Sequence, residues 1–378
     1  MVSRPSPRHV SADDIDDLRD RLLRTRWPTE WPDAPGRPGR LSVELRRLVD
    51  YWSTGYDWRA HEQEINALPW HQADVGGLIV HFLRYEGERS DALPIVLTHG
   101  WPSSYLELTA LAERLSEPSR FGGQAGDSFT VIVPSLPGFA GAPQAATIPA
   151  TVPTHEVWHR LMHDELGFSR YAAHGGDLGA GITSRLGEAH PDALVGIHVL
   201  AVANPTVVDV DTLTDEERSF LASVAAWQAD EGGYQHQQST RPQTLSYGLS
   251  DSPVGLLAWI LEKYQAWTDG GDELPARFTD DFVLTQASLY WFTNAISTSF
   301  RPYYEHGQGL IQAVERVAVP TGIAVFPADL VHPPRSWAER TYNVTRYTRM
   351  ARGGHFAALE EPDLLAAELV DHFRSLRE

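Results

Sequence analysis

The stretch His174-Gly175-Gly176-Asp177-Leu178-Gly179 follows a short apolar run, Tyr171–Ala173, and opens a helical pattern over Leu178–His190. A strand that ends on paired glycines, presents one acidic side chain and turns straight into a helix has the form of a nucleophile elbow. The flanking glycines permit the tight turn and its strained backbone, and Asp177 stands where the commoner motif carries serine. Taken alone, Asp after Gly-Gly is equally well a turn residue that tolerates the left-handed region. What lies at the neighbouring strand ends decides between the two.

Working outward, the same alternation recurs. Leu78–Tyr85 alternates as a strand, and Leu93–Thr98, Phe129–Val133 and Leu194–Leu200 are short apolar runs. Helical patterns cover Tyr105–Leu115, His155–Leu166 and Leu178–His190. Strands resume at Gly322–Phe326 and Val344–Met350, and an amphipathic helix covers Asp363–Leu376. Near-continuous apolar strands alternating with helices predict an α/β class fold, a mostly parallel sheet with helices on both faces. From Asn204 to Gly307 the alternation gives way to a helical pattern rich in Trp, Tyr and Gln, expected to be an insertion over the sheet edge. Before the first strand, Ser11 caps a predicted helix with Ile15, Leu18, Leu22 and Leu23 on one face. The Trp27–Gly39 stretch reads as a wrapping loop, and a second helix covers Val43–Ser53. The expected division is an N-terminal segment at 1–92, a first core part at 93–203, a helical cap at 204–307 and a second core part at 308–378.

Ligands in open parallel sheets sit at the carboxyl ends of the strands. His99-Gly100-Trp101-Pro102 ends one strand, Asp329 follows Phe326-Pro327, and His355 follows Arg352-Gly353-Gly354. The chain order Asp177, Asp329, His355 is the nucleophile–acid–base order that the elbow motif predicts. No Gly-x-Ser-x-Gly occurs, which disfavours a serine esterase. Individually, His355 could be a satisfied buried histidine and Asp329 a helix cap. Their order and placement favour the catalytic reading.

Composition narrows the class. The chain has 378 residues, 42% hydrophobic and 21% charged, as expected of a packed protein rather than a disordered one. A net charge of -19 and the lack of a basic stripe exclude a nucleic-acid footprint and disfavour anionic membranes. With no cysteine there is no disulfide, thiolate chemistry or Cys-based zinc site. Residues 1–10 hold no apolar signal core, and no run is long enough to span a bilayer, so a cytoplasmic location is expected. His155-Glu156-Val157-Trp158-His159 matches the H-E-x-x-H metalloprotease pattern. Its expected place on a sheet face, with no third ligand at the right spacing, favours an ordinary amphipathic helix and no metal. The acidic stretch Asp211–Glu217 reads as a solvated helix start.

These motifs together resemble the microsomal-type epoxide hydrolases of the α/β-hydrolase superfamily. The resemblance runs over most of the chain. It includes the Trp-rich N-terminal segment, His99-Gly100-Trp101-Pro102, Gly175-Gly176-Asp177 and Arg241-Pro242-Gln243-Thr244 through Asp251-Ser252-Pro253-Val254-Gly255. It continues through Leu289-Tyr290-Trp291, Arg352-Gly353-Gly354-His355-Phe356-Ala357-Ala358 and Glu360-Glu361-Pro362. It implies an α/β-hydrolase fold with a helical cap and an N-terminal wrapping segment. It implies a cofactor-independent hydrolase whose partners are an epoxide and water, with a vicinal diol as product. By that resemblance Asp177 attacks the epoxide to form an ester, and His355, oriented by Asp329, activates water against it. Cap residues Tyr234 and Tyr303 donate to the epoxide oxygen, Tyr304 being the alternative to Tyr303. Backbone N–H groups of Trp101 and Leu178 form the oxyanion hole, and the Trp101 side chain is pocket wall. Many relatives carry Trp after the nucleophile where this chain has Leu178, a change of pocket wall rather than of chemistry. The aromatic-rich cap suggests a bulky or aryl-bearing epoxide. A haloalkane-type dehalogenase shares the Asp nucleophile but needs halide donors that Leu178 does not offer. A binding protein on a retired fold would be expected to lack a triad member or a cap tyrosine. Oligomeric state, a homodimer included, is left open by the sequence.

Overall fold

Phe129–Pro134, Tyr171–Gly175 and Leu194–Val199 are buried at every position, with no polar face turned to water. Strands of this kind belong at the centre of a sheet covered on both sides. A computed structural model describes residues 2–29, 38–142, 152–270 and 278–377. Its sheet has eight strands: β1 (Trp70–Val75), β2 (Leu78–Tyr85), β3 (Leu93–Thr98), β4 (Phe129–Pro134), β5 (Tyr171–Gly175), β6 (Leu194–Val199), β7 (Val317–Val325) and β8 (Tyr342–Arg349). They run in the order β1-β2-β4-β3-β5-β6-β7-β8. The pairs β1–β2 and β2–β4 are antiparallel, and all others are parallel. This is the mostly parallel sheet of an α/β-hydrolase fold.

Three helices precede the sheet: α1 (Ala12–Leu23), α2 (Pro38–Thr54) and α3 (Trp58–Ala67). Ser11 caps α1 by accepting from the Asp14 N–H, as expected. Leu18 and Leu22 are buried, but Leu23 is 70% exposed and does not share the core face. The reason is angular: one residue beyond Leu22, the helix has turned by about 100°. The Trp27–Gly39 loop lies mostly outside the described residues, and α2 already begins at Pro38. β1 was not anticipated, because Trp70-His-Gln-Ala-Asp-Val is too polar to read as a strand until it pairs with β2.

Between the strands come α4 (Thr109–Ser116), α5 (Thr154–Arg160, continued by a π-turn at Leu161–Glu165) and α6 (Leu178–Ala189). After β6, seven α-helices follow among the described residues before the sheet resumes: α7 (Asp215–Glu231), α8 (Gly233–Thr240), α9 (Pro242–Asp251), α10 (Pro253–Ala266), α11 (Asp280–Thr293), α12 (Ile296–Ser299) and α13 (Arg301–Gly307). The chain ends with α14 (Arg335–Glu339), α15 (Ala357–Glu360) and α16 (Pro362–Arg374). α5 packs beside α6, and α4 beside α16. The start of α7 is not wholly solvated. Thr214 and Glu217 form a capping box, and Glu217 is buried in a forked pair with Arg340 at 2.8 and 2.9 Å. No described helix is long and apolar enough to cross a membrane.

Register carries the strand ends together. Thr98 at the end of β3 faces Gly175 at the end of β5, so the loop from His99 to Trp101 lies beside Asp177. The turn at Asp177 has φ 49° and ψ -126°, a left-handed conformation that costs a non-glycine residue ~1–3 kcal/mol. Close approach is what demands glycine around it. A Cβ on Gly179 would lie 2.1 Å from the Thr98 carbonyl oxygen, and one on Gly100 would lie 2.4 Å from Asp177 Cβ.

Gly179→Ala is therefore expected to destabilise the fold by about 1–3 kcal/mol or more, because backbone rather than a movable side chain blocks the methyl. Gly181→Ala, two residues on in the same helix, meets nothing within 4 Å. It should be neutral or stabilising by up to about 1 kcal/mol. Urea denaturation of the two variants side by side checks the contrast.

Candidate active site

Asp177 sits at the tip of the turn between β5 and α6, and its carboxylate is held from two sides. Oδ1 accepts from the Trp101 backbone N–H at 2.8 Å. Oδ2 lies 3.5 Å from His355 Nε2. Burial alone would raise its pKa. The bond and charge of His355, with the N–H groups of Trp101 and Leu178, outweigh this and hold the carboxyl below its ordinary value. The side chain is thus kept anionic in a closed site.

His355 follows Gly353 and Gly354 after β8, and its Nδ1 lies 2.7 Å from Asp329 Oδ1. Asp329 is in the loop after β7, where the Leu330 N–H also donates to Oδ1 at 2.7 Å. His355 therefore lies between two carboxylates, one on each ring nitrogen. Burial pulls its pKa down, but Asp329 and Asp177 together carry it well above the usual histidine value. This resting arrangement favours the imidazolium form of the ring.

The His355 loop is fastened by a residue the motifs did not single out. Glu360 on α15 accepts from the backbone N–H groups of Asp269 (2.7 Å), Gly354 (3.1 Å) and Phe356 (3.0 Å). The His355 N–H donates to the Trp267 carbonyl at 2.8 Å, and the Gly353 N–H to Asp269 Oδ2 at 2.7 Å. These bonds tie the histidine to the segment just after α10.

Aromatic rings roof the site. Tyr234 on α8 and Tyr303 on α13 are both buried. The Trp101 ring stacks on Tyr234 at 5.4 Å and meets Tyr303 edge-on at 5.8 Å. Trp267 and Phe300 close the group at 6.4 and 6.2 Å from Trp101. Burial, then the negative charge of Asp177, pushes both phenols up, so each stays protonated and able to donate. The Tyr303 hydroxyl interacts with that of Tyr234 but makes no hydrogen bond of good geometry among the described residues. A buried donor left unused is costly, and such groups mark places where something else is bound. Of the two neighbouring candidates, Tyr303 faces this cluster while Tyr304 is 40% exposed.

Beneath Asp177 a small cavity, with room for about one water molecule, is lined by His99, Gly100, Glu107, His174, His355 and Phe356, among others. Glu107, two residues after the His99–Tyr105 loop, was not anticipated. Enclosure pushes its carboxyl up to about 7. Burial holds His99 down at about 4, neutral, and its Nε2 accepts from the Leu136 N–H.

The H-E-x-x-H histidines do not converge with a third ligand. His155 lies 3.4 Å from Glu156, while His159 contacts the Tyr171 hydroxyl at 3.0 Å and stacks on His190. Among the described residues no three ligating side chains are placed to hold a metal ion.

Comparison with known proteins follows this geometry. Residues 3–108 match a family described as epoxide hydrolase N terminus, and residues 94–254 the alpha/beta hydrolase fold. A protein of Stigmatella aurantiaca assigned as an epoxide hydrolase is 40% identical over 373 residues, 96% of this chain and 83% of that one. Epoxide hydrolase 1 of Sus scrofa is 33% identical over 97% of this chain and 87% of its own. Among solved structures, the Aspergillus niger epoxide hydrolase superposes with a TM-score of 0.83 at 29% identity, covering 99% of this chain and 96% of the other. The juvenile hormone epoxide hydrolase of Bombyx mori gives 0.87 at 26% identity, over 100% and 95%.

If two carboxylates hold the His355 proton, removing one charge must release it more easily. Asp329→Asn should lower the pH at which this imidazole titrates, and Asp177→Asn should lower it too. Nitrogen-15 NMR of the histidine rings in the three proteins measures the shift. A midpoint unmoved by either change would show that the carboxylates do not set it.

Proposed function

The chain belongs to the microsomal-type epoxide hydrolase family on the α/β-hydrolase fold, and from that premise we propose that Asp177, His355, Asp329, Tyr234 and Tyr303 carry the reaction in two covalent steps. In the first, Asp177 Oδ2 attacks an epoxide carbon while the carbon–oxygen bond of the ring breaks. Tyr234 and Tyr303 donate to the departing oxygen, and one of them gives up its proton. The product is an ester of Asp177 bearing a free hydroxyl. In the second step water attacks the ester carbonyl carbon, and His355 takes the water proton. Charge gathers on the oxygen that was Oδ1, next to the N–H groups of Trp101 and Leu178. Before that attack the proton His355 carried at rest passes through solvent to the phenolate, and release of the diol restores Asp177 beside a His355 protonated again by the water.

The observation that carries this reading is the placement of one buried anion between an imidazole at 3.5 Å and a roof of buried phenols. Electrostatics supports the order of steps. While Asp177 is charged, His355 is an imidazolium and cannot act as a base. Ester formation cancels that charge, the imidazole loses one of its two anionic neighbours, and its pKa falls toward the working range. The base is thereby switched on when there is an ester to hydrolyse. The one-water cavity beside His355 and Glu107 supports a water held ready on that side.

We further infer that residues 204–307 act as the cap, since they supply both tyrosines. The site walls are Trp101, Trp267, Phe300 and the two phenols. Flat, wide surfaces of this kind favour a bulky or aryl-bearing epoxide.

Asp177→Asn should abolish turnover of a styrene-oxide-type substrate. His355→Gln should accumulate the ester, seen by mass spectrometry of the intact protein as a gain equal to the substrate mass. Tyr234→Phe and Tyr303→Phe should each slow ester formation by about 10²-fold or more. A folded protein that consumes no member of an epoxide panel, or forms no adduct with His355→Gln, would overturn the proposal.

A further inference from the structure

Lys263 is the one lysine in a chain that otherwise uses arginine for its positive charge. It lies in the third turn of α10, and its side chain is 2% exposed. Burying an ammonium group is expensive, and a methionine or leucine would fill the same space without that cost. Its neighbours include three aromatic rings. Nζ lies 4.6 Å from the centre of the Tyr234 ring, 5.5 Å from that of Trp267 and 6.0 Å from that of Trp259. Glu262 Oε2 is 3.1 Å away, on a side chain 38% exposed. A cation this close to an aromatic face interacts with the ring electrons directly, and more strongly when water is excluded.

The tyrosine it covers is the one stacked on Trp101 above Asp177. Two influences oppose negative charge on the Tyr234 oxygen, burial and the Asp177 carboxylate, while the hydroxyl of Tyr303 favours it. The ammonium favours it too. No cation lies over the Tyr303 ring among the described residues, so the two phenols are not equivalent. We propose that Lys263 is a positioning residue that makes Tyr234, rather than Tyr303, the phenol that surrenders its proton when the epoxide opens. The inference rests on the reading of Tyr234 as an acid given above. As the Asp177–carbon bond forms and the ring carbon–oxygen bond breaks, the Tyr234 proton passes to the alkoxide oxygen. The phenolate left behind is balanced by the ammonium over its ring until the proton is returned later in the cycle. Tyr303 holds the same oxygen by a hydrogen bond without ionising.

This role touches ring opening and leaves ester hydrolysis alone, which separates it from simple packing. Single-turnover stopped-flow with styrene oxide, following intrinsic tryptophan fluorescence, resolves the two steps. The proteins compared are Lys263→Met and Lys263→Arg, each alone and combined with Tyr234→Phe. Lys263→Met should slow ester formation about tenfold or more while ester hydrolysis stays within about twofold. Lys263→Arg, which keeps the charge, should recover most of the rate. In the Tyr234→Phe background Lys263→Met should have no further effect on ester formation. Slowing of both steps alike, or an undiminished effect of Lys263→Met without the phenol, would overturn the proposal. Should Lys263→Met fail to fold, Lys263→Gln serves in its place, and full ester-formation rate in that uncharged variant would refute the idea equally. If Tyr234→Phe alone leaves ester formation unchanged, it is the assignment of Tyr234 that fails. If Tyr234→Phe is slow and the lysine variants are not, this inference fails and that assignment stands.

Discussion

The crossing of the Asp177 turn against the end of β3 is the constraint on which the rest of the site depends. Gly179 passes so close to the Thr98 carbonyl that no side chain fits, and Gly100 leaves room for the Asp177 side chain itself. The left-handed backbone at Asp177 is a local cost, and the surrounding sheet offsets it. What the strain secures is direction. The carboxylate leaves the sheet edge toward the Trp101 N–H and His355 instead of lying along the helix that follows. Any smoother turn would fill the same positions with backbone.

Charge follows from that geometry. A chain carrying a formal charge of -19 places one of its anions in a closed pocket and keeps it ionised through His355 and two backbone N–H groups. The same ring is shared with Asp329 at 2.7 Å. Two anions around one proton form a balanced unit, and removing either charge by covalent chemistry unbalances it. The proposed reaction uses that imbalance as its timing. Glu107 and Lys263 extend the idea to groups beyond the triad. One is a carboxyl raised by enclosure beside the cavity, the other a cation set against a ring.

Much of this was legible in the sequence where local order and chemistry coincide. Asp177 and Asp329 follow short apolar runs, Tyr171–Ala173 and Gly322–Phe326, and His355 follows the strand pattern of Val344–Met350. The parallel core needed no more than its continuous hydrophobic runs. Residues whose meaning is wholly tertiary could not be read this way. Glu360 is one more acid in Glu360-Glu361-Pro362 until folding brings three N–H groups from two separate loops onto it. Lys263 is a polar interruption of an apolar helix until the Tyr234 ring lies beneath it. Its being the one lysine was a visible signal, yet rarity alone does not indicate a neighbour. β1 stayed hidden because its sequence is polar until it pairs with β2, and Leu23 was misplaced because it stands about 100° round the helix from Leu22.

The N-terminal segment completes the logic of the roof. It packs on α10 and is hydrogen-bonded to α11: Arg47 pairs with Asp280, Tyr51 bonds Asp281, Tyr56 bonds Thr285, and the Trp52 indole donates to Ser288 at 3.1 Å. On its other side α11 reaches the loop of the Trp101 N–H, through Tyr290 to the Ser103 carbonyl and Ser104 to Gln286, both at 2.9 Å. α11 thus stands between the wrapping segment and the residue that holds Asp177 Oδ1. In the proposed reaction the phenols delivered by α8 and α13 meet an oxygen whose position is set by Asp177, and a misplacement of about 1 Å is costly in such chemistry. A helix locked on both sides gives roof and floor a common reference. Supporting groups of this sort decide whether reacting atoms are merely near one another or held in line. The helices before β1 are explained on this view as the outer half of a clamp, with the site on its inner face.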